Sequence, residues 1–176
     1  RGLGDVYKRQ VIELGRGNYA RAERRLRDVL DEQLVLLDAM HDDTLSTRQN
    51  LGVAQVHQRK NDEAEATFRA LIADLESRED IPPALDLLTR MNFGVLLRSE
   101  GRNDEAEAVY LPGLEIARSR FAPTHTDAAM FEVNVANLYQ HQDRHDDVVA
   151  LLDPLVERIP LTAATGPILG TAYGIR

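Results

Sequence analysis

Asn50-Leu51-Gly52 recurs as Asn92-Phe93-Gly94 and again as Asn134-Val135-Ala136. The asparagine returns from 50 to 92 and from 92 to 134, a step of 42 residues each time. A second landmark keeps that step: Asp62-Glu63-Ala64-Glu65-Ala66, then Asp104-Glu105-Ala106-Glu107-Ala108, then Asp146-Asp147-Val148-Val149-Ala150. Two landmarks of unrelated chemistry sharing one period mark a repeat protein, in which each unit buries its apolar face only against its neighbours.

Each period reads as two amphipathic helices. The first runs from about Asp43 to Gln58, with Asp43 or Thr44 as N-cap and Leu45, Leu51, Gly52 and Val56 at helical spacing. Arg59-Lys60-Asn61 breaks the pattern, and a second helix from about Asp62 to Arg78 places Ala64, Phe68, Leu71, Ile72 and Leu75 on one face. The next period starts at Pro83, a favoured first-turn residue, and turns at Gly101-Arg102-Asn103. The third starts at His125 and turns at Asp143-Arg144-His145. Ahead of them, Gly17-Asn18-Tyr19 is a turn, and Ala22, Leu26 and Leu30 begin an earlier second helix.

The expected organisation is a partial repeat over 11–42, repeats over about 43–82, 83–124 and 125–160, and a partial repeat over 161–176. Pro167 opens that last helix and Leu169-Gly170 is its small-residue step, reached by a shorter stride from Ala136. Such a helix without its partner would expose an apolar stripe, so the natural chain is expected to continue. Residues 1–10, Arg1-Gly2-Leu3-Gly4-Asp5-Val6-Tyr7-Lys8-Arg9-Gln10, resemble a translated sequencing adapter and put a Leu-Gly pair out of register. They are expected to lie outside the fold.

Composition excludes several functions. The chain has 21 basic and 29 acidic residues and a net charge of −8. That balance opposes nucleic-acid binding, which needs clustered Lys and Arg against phosphate. No cysteine is present, so there is no disulfide or thiolate chemistry. No apolar run approaches the ~20 residues of a membrane helix. Nucleophile elbows, phosphate-cradling glycine loops and dinucleotide fingerprints are all missing.

The Leu-Gly step of the first helices, the Gly101 turn, Ala64/Phe68 and Ala106/Tyr110 in the second helices, and a closing Pro160 resemble tetratricopeptide repeats (TPR). The usual period there is about 34 residues. A step of 42, with His41-Asp42-Asp43 and Pro123-Thr124-His125-Thr126-Asp127 in the linkers, is similar to the kinesin-light-chain type, a kind frequent in bacterial signalling proteins. Ala22, Ala64 and Ala106 match the family's small contact residue, and Val148 departs from it. Arg48, Arg90 and Glu132 stand where the general pattern has a bulky apolar residue. Thr47-Arg48-Gln49-Asn50 and Thr89-Arg90-Met91-Asn92 look like a bacterial variant of that point. The resemblance implies an all-α, right-handed TPR-type α-solenoid of antiparallel helix pairs. It also implies a non-enzymatic, cytoplasmic scaffold that binds a protein or extended peptide through its concave groove. A second reading is the helical regulatory tail of a bacterial multidomain signalling enzyme, protein kinase or protease-linked; a third is a structural spacer.

Spacing of three and four puts Ser46, Gln49, Asn50, Val53 and His57 on one face of their helix. Leu88, Met91, Asn92, Val95 and Ser99 follow in the next repeat, then Met130, Val133, Asn134, Asn137 and His141. The resemblance assigns this stripe to the groove, with the asparagines bonding a peptide backbone. A primary amide offers the donor and acceptor that a peptide unit needs. The competing role is to tie neighbouring first helices together. The candidate peptide-binding residues are Gln49, Asn50, Val53, His57, Leu88, Met91, Asn92, Val95, Asn134, Asn137 and His141. A carboxylate clamp would need Lys or Arg here, and Arg98 is the nearest. His141 and His145, with Asp143, Asp146 and Asp147, straddle a turn with no third fixed ligand, so no metal is expected. Glu63, Glu65, Glu105 and Glu107 lie early in second helices, where acids suit the positive helix end and face solvent. Catalytic residues and cofactors are not expected.

Overall fold

The computed structural model describes residues 18–158. Within them lie seven α-helices and no strand: α1 (Tyr19–Leu36), α2 (Asp42–His57), α3 (Asn61–Glu76), α4 (Pro83–Ser99), α5 (Asn103–Arg120), α6 (Thr126–His141) and α7 (His145–Arg158). The adapter-like segment 1–10, the start of the first partial repeat, Pro160, and the expected helix around Leu169 lie outside the described residues. Two compact units meet in sequence between Leu85 and Asp86, within α4. In the first unit α2 packs on both α1 and α3; in the second α6 packs on both α5 and α7.

The helices form where apolar spacing demands. Ala22, Leu26 and Val29 of α1 recur at intervals of four and three and are buried, as are Ala64, Phe68, Leu71 and Leu75 of α3. Leu45, Leu71, Leu75 and Leu85 make one cluster of the first unit, and Ala22, Leu26, Leu51 and Ala54 another. The start of α2 differs from expectation. His41, not Asp43 or Thr44, is the N-cap, and its Nδ1 accepts from the Asp43 amide at 3.2 Å. An unprotonated imidazole nitrogen does what a cap oxygen usually does, and Asp42 and Asp43 then fall in the first turn, where the helix dipole favours acids.

Three turns have one construction. Arg59, Gly101 and Asp143 adopt φ of 60°, 75° and 56°. The amides of these residues donate to Val56, Arg98 and Gln140, and the next amides, of Lys60, Arg102 and Arg144, donate to Gln55, Leu97 and Tyr139. This pair of bonds around a left-handed residue is the Schellman motif, which satisfies the last carbonyls of a helix. Only one of the three positions is glycine, the residue that adopts this conformation without a steric penalty.

Glycine matters elsewhere for close approach. A Cβ on Gly52 would stand 2.6 Å from Phe68, and one on Gly94 would stand 2.1 Å from Tyr110. These contacts bring α2 against α3 and α4 against α5. One period later the corresponding positions hold Ala136 and Leu152, both buried, so a larger small residue stands at one and a slimmer side chain at the other.

The charged residues at the bulky apolar point are accommodated by pairing. Arg48 Nη1 lies 2.5 Å from Asp74 Oδ2, and Glu132 Oε2 lies 2.6 Å from Arg158 Nη2, with Arg118 Nε at 3.7 Å from Oε1. Both partners stand 26 positions along the chain, from 48 to 74 and from 132 to 158, with the signs exchanged. For Arg90 that position is Ile116, and its Nε instead donates to Asp86, one turn earlier in α4, at 2.8 Å.

Candidate functional site

The stripe occupies the partly exposed side of each first helix. On α2, Ser46, Asn50 and Val53 are half-buried and His57 is exposed, while Leu45, Leu51 and Ala54 beside them are in the core. On α4, Leu88, Met91, Asn92 and Val95 are half-buried and Ser99 is exposed. On α6, Met130, Asn134 and Asn137 are half-buried and His141 is exposed. Two stripe positions turn inward: Gln49 keeps only 9% exposure and Val133 is closed off. Their registers sit one step round the helix from the asparagines, toward the packed side.

The asparagines differ in what they hold. Asn134 Nδ2 donates to the Met130 carbonyl at 2.9 Å, its own helix one turn back. That bond serves neither of the two roles expected from the sequence. Asn50 Nδ2 is shielded from solvent and finds no acceptor among the described residues. Such a donor costs free energy until an acceptor reaches it. His57 stacks on Tyr19 of α1, ring centroids 4.1 Å apart and planes 9° apart. The imidazole is thereby held by the preceding helix.

Two glutamates hold the far ends of these stripes in place. Glu23 of α1, only 5% exposed, receives Lys60 Nζ at 2.8 Å, Gln58 Nε2 at 2.7 Å and Arg27 Nη2 at 2.8 Å. Burial by itself would raise its pKa. The charged donors Lys60 and Arg27, with Gln58, overcome that and hold the carboxyl down at about 2. Glu107 of α5 repeats the arrangement two periods on, receiving Arg144 Nη1 at 2.7 Å and Gln142 Nε2 at 3.3 Å. Arg144 also lies over the Tyr139 ring, 4.1 Å from its centroid. Each clamp fixes the turn after a first helix to the second helix before it. Glu107 therefore does not face solvent as its place early in the helix predicts: it is half-buried against Arg144, 37 positions along the chain. The shared spacing of Glu23 to Lys60 and Glu107 to Arg144 was the available signal.

Arg98, the cation nearest the stripe in sequence, is half-buried. His141 and His145 are exposed on either side of the turn, and among the described residues no three metal-binding side chains gather. No helix among them is long and apolar enough to cross a membrane.

Comparison with known proteins agrees with this geometry. A tetratricopeptide-repeat family model matches residues 87–127. Among solved structures, the nearly identical TPR-like repeats of a putative kinesin light chain from Podosopora anserina superpose with a TM-score of 0.76 at 17% identity, covering 98% of this chain and 94% of that one. A single-substitution variant of those repeats gives 0.75 at 18% identity, covering 88% and 73%. No curated protein matches. The chain is thus all-α with a fold similar to that of kinesin-light-chain TPR-like repeats, and residues 87–127 match a tetratricopeptide repeat.

Proposed function

We propose that this chain is a recognition scaffold that holds an extended peptide of a protein partner against the exposed stripes of its first helices. TPR repeats generally serve as protein-interaction scaffolds rather than catalysts, which supports the class. The observation that carries the finer reading is a primary amide that returns at one register of each first helix, half-buried there among mostly apolar side chains. Asn50, Asn92 and Asn134 supply it, flanked by Val53, by Leu88, Met91 and Val95, and by Met130 and Asn137. Amides at a fixed repeat recognise backbone, which every peptide has, and apolar neighbours exclude water from the bond. The apolar α4 segment makes the strongest anchor, because methionine and aliphatic side chains adapt to varied partner residues. His57 and His141 end two of the stripes with an exposed ring.

Asparagine-to-alanine variants test the reading. With a peptide selected from a library against the chain, each of Asn50→Ala, Asn92→Ala and Asn134→Ala loses about 0.5–1.5 kcal/mol of binding. That is about two- to twelve-fold in affinity by calorimetry. Asn92→Ala shows the largest loss, since Met91 and Val95 shield its bond. Circular dichroism stays native. Unchanged affinity in all three variants would eliminate the amides as the binding device, and lost helicity would assign them to the packing instead.

A further inference from the structure

Leu34, Val35 and Leu36 end α1 with three consecutive large apolar side chains that stay 47%, 83% and 61% exposed. The repeat does not require them. One period on, α3 ends in Glu76 followed by Ser77 and Arg78, and two periods on, α5 ends in Arg118, Ser119 and Arg120. The inward position of this turn also departs from the other copies. Leu75 and Ala117 fill it in α3 and α5, whereas α1 has Gln33, buried with its Oε1 unpaired among the described residues. The last turn of α1 thus inverts the pattern of its counterparts, with a polar residue inside and apolar residues outside. Apolar groups gathered where the fold has no use for them mark a contact surface.

Acids frame that surface. Asp31 lies three positions before Leu34 and four before Val35, and Glu32 lies three before Val35 and four before Leu36, so each is a neighbour on the helix surface. Asp38 follows in the turn, and all three carboxylates are exposed. Acids near a helix C-terminus oppose its dipole, so local helix stability does not account for Asp31 and Glu32. We propose that the C-terminal end of α1 docks a short apolar segment of another protein flanked by lysines or arginines. The apolar side chains supply contact area and the carboxylates meet the flanking cations. A second copy fits badly, because a two-fold contact would bring Asp31, Glu32 and Asp38 against themselves on a chain of net charge −8. An anionic lipid surface is repelled by the same groups. The partner's cationic flank turns away from the first half of the helix, where Arg21, Arg24, Arg25 and Arg27 stand.

The other repeats provide the variant. Leu34→Glu/Val35→Ser/Leu36→Arg writes the α3 ending onto α1 and leaves the net charge unchanged. The probes are a fluorescent amphipathic Leu/Lys peptide and its Leu/Glu counterpart, titrated against the whole chain by anisotropy. The Leu/Lys peptide binds the parent chain, weakens at least ten-fold with the triple variant, and the Leu/Glu peptide binds neither. Asp31→Asn/Glu32→Gln keeps the apolar patch, weakens the Leu/Lys peptide several-fold and flattens its salt dependence. Equal Leu/Lys affinity for parent and triple variant, or equal affinity of the two peptides for the parent, would overturn the proposal. So would a concentration-dependent dimer in sedimentation that the triple variant abolishes, since a second copy then covers the patch. A marked loss of melting temperature in the triple variant with peptide binding intact would mean that the patch packs within the chain. Excess stripe-selected peptide does not displace the Leu/Lys probe; displacement would place the probe on the stripes. Failure of either surface is thus seen separately from failure of the other.

Discussion

The α2–α3 pair of the first unit and the α6–α7 pair of the second solve one packing problem with different chemistry. Both close their turn on a left-handed residue that is not glycine, Arg59 in one and Asp143 in the other. Both clamp that turn to the preceding helix through a glutamate, Glu23 or Glu107. Yet the places of Gly52 and Phe68 are taken by the buried Ala136 and Leu152, and Arg48–Asp74 becomes Glu132–Arg158 with the charges exchanged. What persists between the pairs is steric volume and charge neutrality at each point, rather than residue identity. An ion pair between helices tolerates reversal because the attraction depends on the product of the charges. A close helix contact tolerates exchange because the space removed from one side can be given to the other.

The largest effect is expected from breaking the ion pair. Arg48→Glu would set two carboxylates against each other in a partly buried place and cost about 2–4 kcal/mol in urea denaturation. Adding Asp74→Arg reproduces the sense found at Glu132 and Arg158, and most of the loss should return. A double variant no more stable than Arg48→Glu alone would mean that the two pairs sit in different surroundings despite their shared spacing.

The steric exchange is tested next. Gly52→Ala pushes a methyl toward Phe68 and should cost about 1–3 kcal/mol, the usual range for overpacking. Gly52→Ala/Phe68→Leu copies the Ala136 and Leu152 combination and should recover part of that loss. If Gly52→Ala proves neutral, the ring has room to swing and the comparison loses its steric basis.

Acid titration separates the glutamate clamps from the rest. The Glu23 carboxyl is lowered to about 2 in the folded chain from an ordinary 4.5. A depressed acid contributes stability that is complete above the unfolded value and is lost as pH falls from about 4.5 toward 2. Lys60→Met removes one charged donor, leaving Arg27 and Gln58. It should cost about 1–2 kcal/mol at pH 7, discounted because the lysine is partly solvated. That deficit should shrink as the solution is acidified through the same window. A deficit independent of pH would mean that Lys60 acts through packing of its stem.

The smallest effect concerns the turns. Arg59→Gly and Asp143→Gly should each raise stability by about 0.5–1 kcal/mol by relieving left-handed strain, net of the entropy that glycine adds to the unfolded chain. Gly101→Ala should lower it by a similar amount. Destabilisation by either glycine would show that the side chain contributes more than the backbone costs.

The repeat, the helix pairs and the three turns were legible because they depend on local spacing. An apolar residue every three or four positions makes a helical face in any context, and a period visible at Asn50, Asn92 and Asn134 carries its packing partners with it. The family likeness was legible for the same reason. The stripe was only partly so. Its direction followed from helical spacing, but Gln49 and Val133 stand at its edge, where a small rotation decides between solvent and core. The His41 cap was missed because imidazole seldom takes that role.

From the order of residues alone it followed that the chain is built of helices at a fixed repeat, where those helices turn, and which face of each is apolar. The tertiary structure alone decided what the charged residues do. Arg48 and Glu132 looked like intrusions into an apolar position until partners 26 residues away came within reach. Glu107 looked solvated until Arg144 arrived from a later helix. Charge pairing is set by separation in space, with which the attraction weakens, and by burial, which strengthens whatever attraction remains. Neither quantity is written in the order of residues along one helix.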